Sequence, residues 1–152
     1  MGFSLNDFKE FLLTAHQNTY ANSAAKRIKS SRMGSKDYNF EQGDFAYHDT
    51  YFGESDFIGE EVVYFQDIPV WGMNYYGFSD KPIDKILRPF LMQEPWKELP
   101  VRGPEHSVIK EHEYVIEKKE GSLERFVAEE RMELDGKVTY RCFLHGGLLQ
   151  TI

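Results

Sequence analysis

The fold is decided by two adjacent segments, FIGEEVVYF at residues 57–65 and IPVWGMNYYG at residues 68–77. Both are rich in β-branched and aromatic residues, and only two polar residues separate them, which predicts a β-hairpin. A similar pair follows 69 residues later, FVAEERMEL at 126–134 and VTYRCFLHG at 138–146. Its turn contains Asp135-Gly136, a favoured hairpin pair because both residues tolerate positive φ. The sequence therefore predicts two hairpins of similar chemistry.

The two hairpins agree in detail over residues 57–77 and 126–146. An internal duplication explains this agreement, and independent convergence of two hairpins is the alternative. Either way, the shared acidic position calls for a physical explanation. The identical pairs are Phe57 and Phe126, Glu60 and Glu129, Glu61 and Glu130, and Gly77 and Gly146.

One glutamate of each hairpin is expected to point into the protein. Side chains alternate between the two faces of a strand, so Glu61 shares a face with Phe65, and Glu130 shares a face with Phe126 and Leu134. This face is the apolar one in both copies. A buried carboxylate is costly unless it is paired or hydrogen-bonded. Each glutamate is therefore either a structural residue held by a Tyr, Trp or Arg, or part of a polar ligand cavity.

Helical and strand patterns flank both hairpins. Apolar residues at helical spacing predict a helix over about 5–18, starting after Ser4. Alternation predicts a strand over 45–52, and another strand is expected near 113–118. A second helix is expected after Ser79 or Asp80, with Pro82 in its first turn.

The order of these elements is helix, three strands, helix, three strands. It predicts an α+β fold with two helices and an antiparallel sheet of six or seven strands in two β-meanders. A chain of 152 residues is expected to form a single domain over residues 1–152. Patterns of this kind do not decide between one bent sheet and two facing sheets.

Composition excludes several classes of function. A single cysteine, Cys142, allows neither an internal disulfide nor a cysteine-based zinc cluster, and the scattered histidines predict no metal site. The sequence has no glycine-rich phosphate-binding loop after a strand, so no cofactor is expected. The net charge of −7 disfavours general nucleic-acid binding. Neither a membrane-spanning run nor a secretory signal is visible, so a cytoplasmic protein is expected.

A basic segment stands out against this negative charge. It has few large apolar residues, so we expect most of residues 20–37 to be mobile. Arg32 is the expected exception, anchored by a charge-assisted bond to Asp49 or Glu60. The cations of the segment are Lys26, Arg27, Lys29, Arg32 and Lys36.

A set of short motifs resembles a bacterial domain family of unknown function. Its members occur alone or behind an XRE-type (Cro/C1-like) helix-turn-helix, so the resemblance implies a link to transcriptional regulators and a role in ligand sensing or assembly. Only one helix is expected before the sheet here, so direct DNA binding is not expected. The motifs are SSR at 30–32, GD at 43–44, DTYFG at 49–53, FIGEE at 57–61, PVWGMNYYG at 69–77, RGPE at 102–105 and HGG at 145–147.

Three functions are compatible with these observations. The first is a non-catalytic domain that binds an unknown small molecule; the second is a small enzyme with Glu61 and Glu130 as an acid–base pair, assisted by His145 or Arg102; the third is a protein–protein interaction module. Unpaired sheet edges and abundant aromatic residues also predict a homodimer. The candidate ligand-binding residues are Glu61, Glu130, Asp49, Tyr47, Trp71, Tyr75, Tyr76, Arg32, Arg102 and His145.

Overall fold

The structure, a computed structural model, describes residues 2–149. The helices within this range are α1 (Leu5–Gln17) and α2 (Asp84–Leu91). The strands are β1 (Lys36–Gln42), β2 (Phe45–Gly53), β3 (Asp56–Phe65), β4 (Ile68–Ser79), β5 (His106–Ile109), β6 (His112–Ser122), β7 (Arg125–Leu134) and β8 (Lys137–Leu148). All eight strands belong to one antiparallel sheet, in the order β1-β2-β3-β4-β8-β7-β6-β5.

The α+β class, the antiparallel sheet and the two helices are confirmed, but the prediction of six or seven strands is wrong. Eight strands form, because each half contributes four consecutive strands and β4 pairs with β8 where the halves meet. The missed strand is β5, which spans only four residues at the edge of the sheet. Such a short edge strand, partly exposed along its length, shows no alternation that a sequence pattern could detect.

The two halves match in geometry as well as in sequence. Strands β3 and β7 begin and end 69 residues apart, and so do β4 and β8. Each hairpin has an irregularity in its register at the same place, between Val63 and Tyr64 and between Met132 and Glu133. These matches agree with the predicted duplication, which itself stays a prediction.

Helix α1 forms where the sequence predicts it. The Ser4 hydroxyl accepts from the Asp7 backbone amide, and the Asp7 carboxylate accepts from Ser4, which together cap the first turn. The predicted apolar stripe is buried and packs on the sheet; it consists of Phe8, Phe11, Leu12 and Ala15.

Helix α2 starts later than predicted. Neither Ser79 nor Asp80 caps it; the residue before its first turn is Ile83, whose side chain makes no capping bond. Pro82 therefore precedes the helix, and Pro89 lies within its last turn. Ser79 is unavailable as a cap because it ends strand β4, where its hydroxyl donates to the Lys81 carbonyl at 2.6 Å.

The sheet has an inner face with buried side chains and an outer face that is more exposed. Strand alternation places Glu61, Val63, Trp71 and Tyr75 on the inner face, as predicted for the apolar face of the first hairpin. The outer face carries several large apolar side chains in the central strands. They are Ile58, Tyr76, Phe78, Val127 and Phe143, each between 41% and 56% exposed.

The basic segment is held differently from the prediction. Arg32 does not bind Asp49 or Glu60; its guanidinium carbon lies 5.1 Å from the centre of the Phe52 ring, and the residue is exposed. The residue that anchors the segment is Asp37, at the start of β1, which is fully buried. Whether the segment is mobile stays a prediction.

Asp37 accepts five hydrogen bonds. The Ser31 backbone amide and hydroxyl donate at 3.2 and 2.6 Å, and the Ser35 and Thr50 hydroxyls at 2.5 and 2.7 Å. The Nε2 atom of His48 completes the set at 2.6 Å. Burial alone would raise the pKa of Asp37, but the hydrogen bonds outweigh it and hold this pKa well below its ordinary value.

We expect Asp37→Asn to lower the free energy of unfolding by about 1.5–3 kcal/mol at pH 7, because hydrogen bonds to a charged group carry that much. The depressed pKa makes this stabilisation fully present above the ordinary carboxyl pKa and lost as pH falls through the native pKa. Urea unfolding at pH 7 measures the first effect; repeating it at pH 2, well below the ordinary carboxyl pKa, should give a smaller difference in stability between the native chain and the variant. Asp44→Asn, in an exposed turn, is the control; an Asp37 variant as stable as this control at pH 7 would contradict the prediction.

Candidate functional site

Glu130, on the inner face of β7, is fully buried and saturated with partners. Arg102 donates to its carboxylate through Nε at 3.0 Å and through a terminal nitrogen at 3.1 Å. The Tyr114 hydroxyl donates at 2.5 Å, and the Tyr140 hydroxyl donates to the second oxygen. The prediction that Glu130 is buried and bound by aromatic hydroxyls or an arginine is therefore confirmed.

Glu61 occupies the equivalent position in β3 and is also buried, but one of its partners was not predicted. The Nε2 atom of His16, near the end of α1, lies 2.8 Å from the Glu61 carboxylate. Of the expected Tyr, Trp and Arg partners, Arg102 is engaged with Glu130, and the Trp71 indole donates instead to the Leu123 carbonyl at 3.0 Å. The expected tyrosine is Tyr47, whose hydroxyl interacts with the Glu61 carboxylate.

Asp49 lies beside Glu61 in the sheet, directly opposite it in the β2–β3 register, and is 3% exposed. The Tyr75 hydroxyl donates to its Oδ1 atom at 2.6 Å. Gly59 makes this bond possible, because a Cβ atom there would lie 2.3 Å from the Tyr75 hydroxyl oxygen. The strands therefore bring Asp49, Glu61 and Tyr75 together on the inner face, with Tyr75 lying over Gly59, which has no side chain.

The electrostatic surroundings favour the neutral form of Asp49. Burial and the negative charge of Glu61 raise the pKa of Asp49 to about 8, although the Tyr75 hydrogen bond and the positive charge of Arg102 act in the opposite direction. Asp49 is consequently a carboxylic acid, rather than a carboxylate, in most molecules at neutral pH. A perturbed carboxyl of this kind, inside a cleft, is a candidate for binding or proton transfer.

A cavity of about 170 Å³ opens above Asp49. Asp49, Tyr75 and Arg102 lie at its buried end, whereas Arg27, Glu54 and Asp84 are exposed residues at its mouth. Four aromatic rings line it, together with the turn before α2. The remaining lining residues are Tyr20, Lys36, Tyr51, Gly53, Phe57, Pro82 and Ile83.

A much smaller space of about 20 Å³ lies deeper, next to Glu61. It is lined by His16, Tyr47 and Glu61 and shares Arg102 and Tyr20 with the larger cavity. Burial and the nearby Glu61 and Asp49 charges raise the pKa of the Tyr47 hydroxyl well above its ordinary value, so this hydroxyl keeps its proton. The polar interior of the first half therefore extends from the cavity to helix α1.

The structure brings together five of the ten residues that the sequence singled out. Asp49, Tyr75 and Arg102 line the larger cavity, and Tyr47 and Glu61 line the smaller one. Glu130 lines neither of these two cavities. It is linked to them by its bond to Arg102, which lines both.

The other four residues lie elsewhere. Trp71 packs in the core between Phe8 and Phe126. Tyr76 and His145 are exposed on the outer face and do not frame the mouth of the cavity, because each follows an inward-pointing neighbour in its strand. Arg32 is exposed in the basic segment.

Sequence reasoning missed several lining residues, although some carried a signal. Tyr51 alternates with Asp49 in the same strand, so period two already places it on the same face. His16 continues the helical stripe four residues after Leu12. Tyr20 and Asp84 carried no such signal, since their mutual hydrogen bond joins the segment after α1 to the start of α2.

Residues 49–149 match the family model described as a domain of unknown function, DUF5680. The chain belongs to the DUF5680 family. The DUF5680 segment starts at Asp49 and includes Glu61, Tyr75, Arg102 and Glu130, whereas α1 with His16 lies outside it. No curated protein and no solved structure matches the chain.

The described part of the DUF5680 chain, residues 2–149, contains neither a metal-ligand cluster nor a helix that could cross a membrane. No cluster of three or more His, Cys, Asp or Glu side chains there is arranged to hold a metal ion. Neither helix in the same range has the length and apolar character that crossing a membrane requires.

The two equivalent glutamates should differ sharply when each is replaced by glutamine. Glu130→Gln leaves the Arg102 guanidinium buried without a counter-charge, so we expect a loss of about 3–5 kcal/mol in the free energy of unfolding. Glu61→Gln keeps an acceptor oxygen for His16 and leaves no buried guanidinium unpaired, so we expect a loss of only about 0.5–1.5 kcal/mol. Urea unfolding at pH 7 measures both values, and equal losses would refute the assigned difference.

Proposed function

We propose that this chain is a non-catalytic domain that binds a small molecule in the cavity above Asp49 and acts as a sensor. The observation that carries the proposal is the cavity itself, which has aromatic walls and, at its closed end, a buried carboxyl group without a basic partner. Ligand sites combine apolar walls with a few convergent polar groups in this way.

The contrast between the two halves supports this assignment. In the second half, Ile116 lies opposite Glu130, and Arg102 neutralises that glutamate. In the first half, Asp49 lies opposite Glu61, so the sheet holds two carboxyl groups where the second half holds one. Burying this additional acid does not help the fold. A polar group that costs stability and faces a cavity is expected where a ligand binds.

The enzyme hypothesis with Glu61 and Glu130 as an acid–base pair has less support. Glu130 accepts from Arg102, Tyr114 and Tyr140 and lines neither the cavity above Asp49 nor the space beside Glu61. A general acid or base has to come within hydrogen-bond reach of the substrate. The interaction-module hypothesis rests on the apolar outer face, which leaves the cavity unexplained.

The broader parts of the proposal rest on sequence. We place the chain among bacterial proteins, in the cytoplasm, with residues 1–152 as one domain that arose by duplication of a four-stranded meander. The resemblance to domains found behind XRE-type helix-turn-helix segments supports a link to transcriptional regulators. The equal spacing of the two hairpins supports the duplication.

A fragment screen tests the binding function directly. We expect members of a library of small acids, amines and neutral aromatics to shift the backbone amide NMR signals of Asp49, Tyr51 and Tyr75, which lie at the cavity. The open groove on the outer face, with Asn74 and His145, is the internal control and should not respond to the same fragments. A library without any fragment that shifts the cavity signals would overturn the proposed function.

We also propose a homodimer, supported by the apolar side chains exposed on the outer face. Light scattering coupled to size exclusion is expected to give twice the 17.8 kDa mass of the chain. Phe143→Lys on that face should shift the mass toward the monomer without unfolding the protein, whereas Glu41→Lys, at the β1 edge, should not. A monomer mass for the native chain at high concentration would remove the dimer from the proposal.

A further inference from the structure

We propose that the ligand of the cavity is a small organic cation, an amine or a quaternary ammonium compound, whose charge pairs with Asp49. This inference rests on the proposed binding function and adds the chemical class of the ligand. It follows from three features of the cavity: the charge at its buried end, the charge at its mouth and the chemistry of its walls.

The buried end of the cavity lacks a positive charge. Arg102 lies there, but its guanidinium forms two bonds with the carboxylate of Glu130, so the pair is neutral overall. Glu61 has His16 as its partner. At this buried end, Asp49 faces the cavity with no basic partner, and only the Tyr75 hydroxyl donates to it among the described residues. A cationic ligand would supply the missing counter-charge.

The mouth of the cavity is balanced. Lys36 lies 3.6 Å from Glu54 and donates to the Gly53 carbonyl at 2.7 Å, so its charge is already compensated. Arg27 and Asp84 add one charge of each sign. The charges at the mouth therefore favour neither a cationic nor an anionic ligand. The net charge of −7 on the whole chain favours the approach of cations.

The walls suit a cation that has left water. Tyr20, Tyr51, Phe57 and Tyr75 contribute aromatic rings around the space above Asp49. Three of these rings already attract a protein cation at one face, Arg88 at Tyr20, Lys36 at Tyr51 and Arg102 at Tyr75, so the rings of this site do bind cations. The face of an aromatic ring attracts a cation within about 6 Å of its centre, and quaternary ammonium groups are recognised by cages of such rings. An anion would meet these faces and the carboxyl group of Asp49 with no uncompensated guanidinium at the buried end.

Binding of a cation should be coupled to proton release. Burial and the Glu61 charge raise the pKa of Asp49 to about 8 in the empty cavity, so a cation must displace the Asp49 proton below that pH. The affinity should then rise about tenfold for each pH unit between pH 6 and 7 and level off above pH 8, because only the ionised form is competent. The other titratable or charged groups around Asp49 are Asp37, Tyr47, Glu61, Tyr75 and Arg102, with His16 behind Glu61.

Isothermal titration calorimetry tests the inference with matched probes. Choline and butylamine are the cations, and 3,3-dimethylbutan-1-ol and butan-1-ol are their uncharged isosteres. We expect at least one cation to bind at pH 7 with at least about tenfold higher affinity than its isostere. Repeating the titration at pH 6.5 in buffers of different ionisation enthalpy should show release of about one proton per cation bound.

Asp49→Asn is the discriminating variant, since asparagine keeps the acceptor for Tyr75 and removes the charge. Its affinity for the cation should fall at least about tenfold, and both the pH dependence and the proton release should disappear. Glu41→Gln removes the same charge from an exposed edge of the sheet and should change the affinity less than twofold. Should Asp49→Asn fail to fold, the proton release of the native chain decides instead.

Failure of this inference differs from failure of the proposed function. Tighter binding of the neutral isosteres, or of 3,3-dimethylbutanoate, would overturn the cation assignment while the cavity would remain a ligand site. Fragments that shift the cavity signals when neither cation binds would do the same. A cavity that binds neither fragments nor cations would overturn both.

Discussion

Carboxyl groups on the inner face of the sheet have to be satisfied without bulk water, and the rest of the structure depends on how this is done. Glu130 brings Arg102 inward and thereby positions the segment between α2 and β5 over the second half. Glu61 brings in His16 and fixes the end of α1 over the first half. The helices and loops above the sheet are thus placed by hydrogen bonds to buried carboxyl groups as well as by apolar packing.

The two halves solve this problem to different extents. Around Glu130 the donors of Arg102, Tyr114 and Tyr140 are matched by the carboxylate, and Glu130 lines neither the cavity above Asp49 nor the space beside Glu61. Around Asp49 one acid lacks a basic partner, and the protein keeps it neutral instead. Under the proposed duplication and binding function, one copy serves stability and the other binding.

Much of the inner face could be predicted because strand alternation is local. Period two places Glu61, Glu130 and Tyr75 inward, and the same rule applied strictly also places Tyr76 outward. Arg102 as the partner of Glu130, and the donors around Asp37, could not be assigned in this way. These contacts join segments far apart in sequence, and loops that carry the donors have no period to read.

The position of β8 has a consequence for folding during synthesis. This strand follows all the others in the chain, yet it lies in the middle of the sheet beside β4. While the ribosome is still making the second half, β4 is an unpaired edge flanked by the exposed rings of Tyr76 and Phe78. The nascent first half is therefore a template for pairing with other chains until β8 emerges and covers this edge.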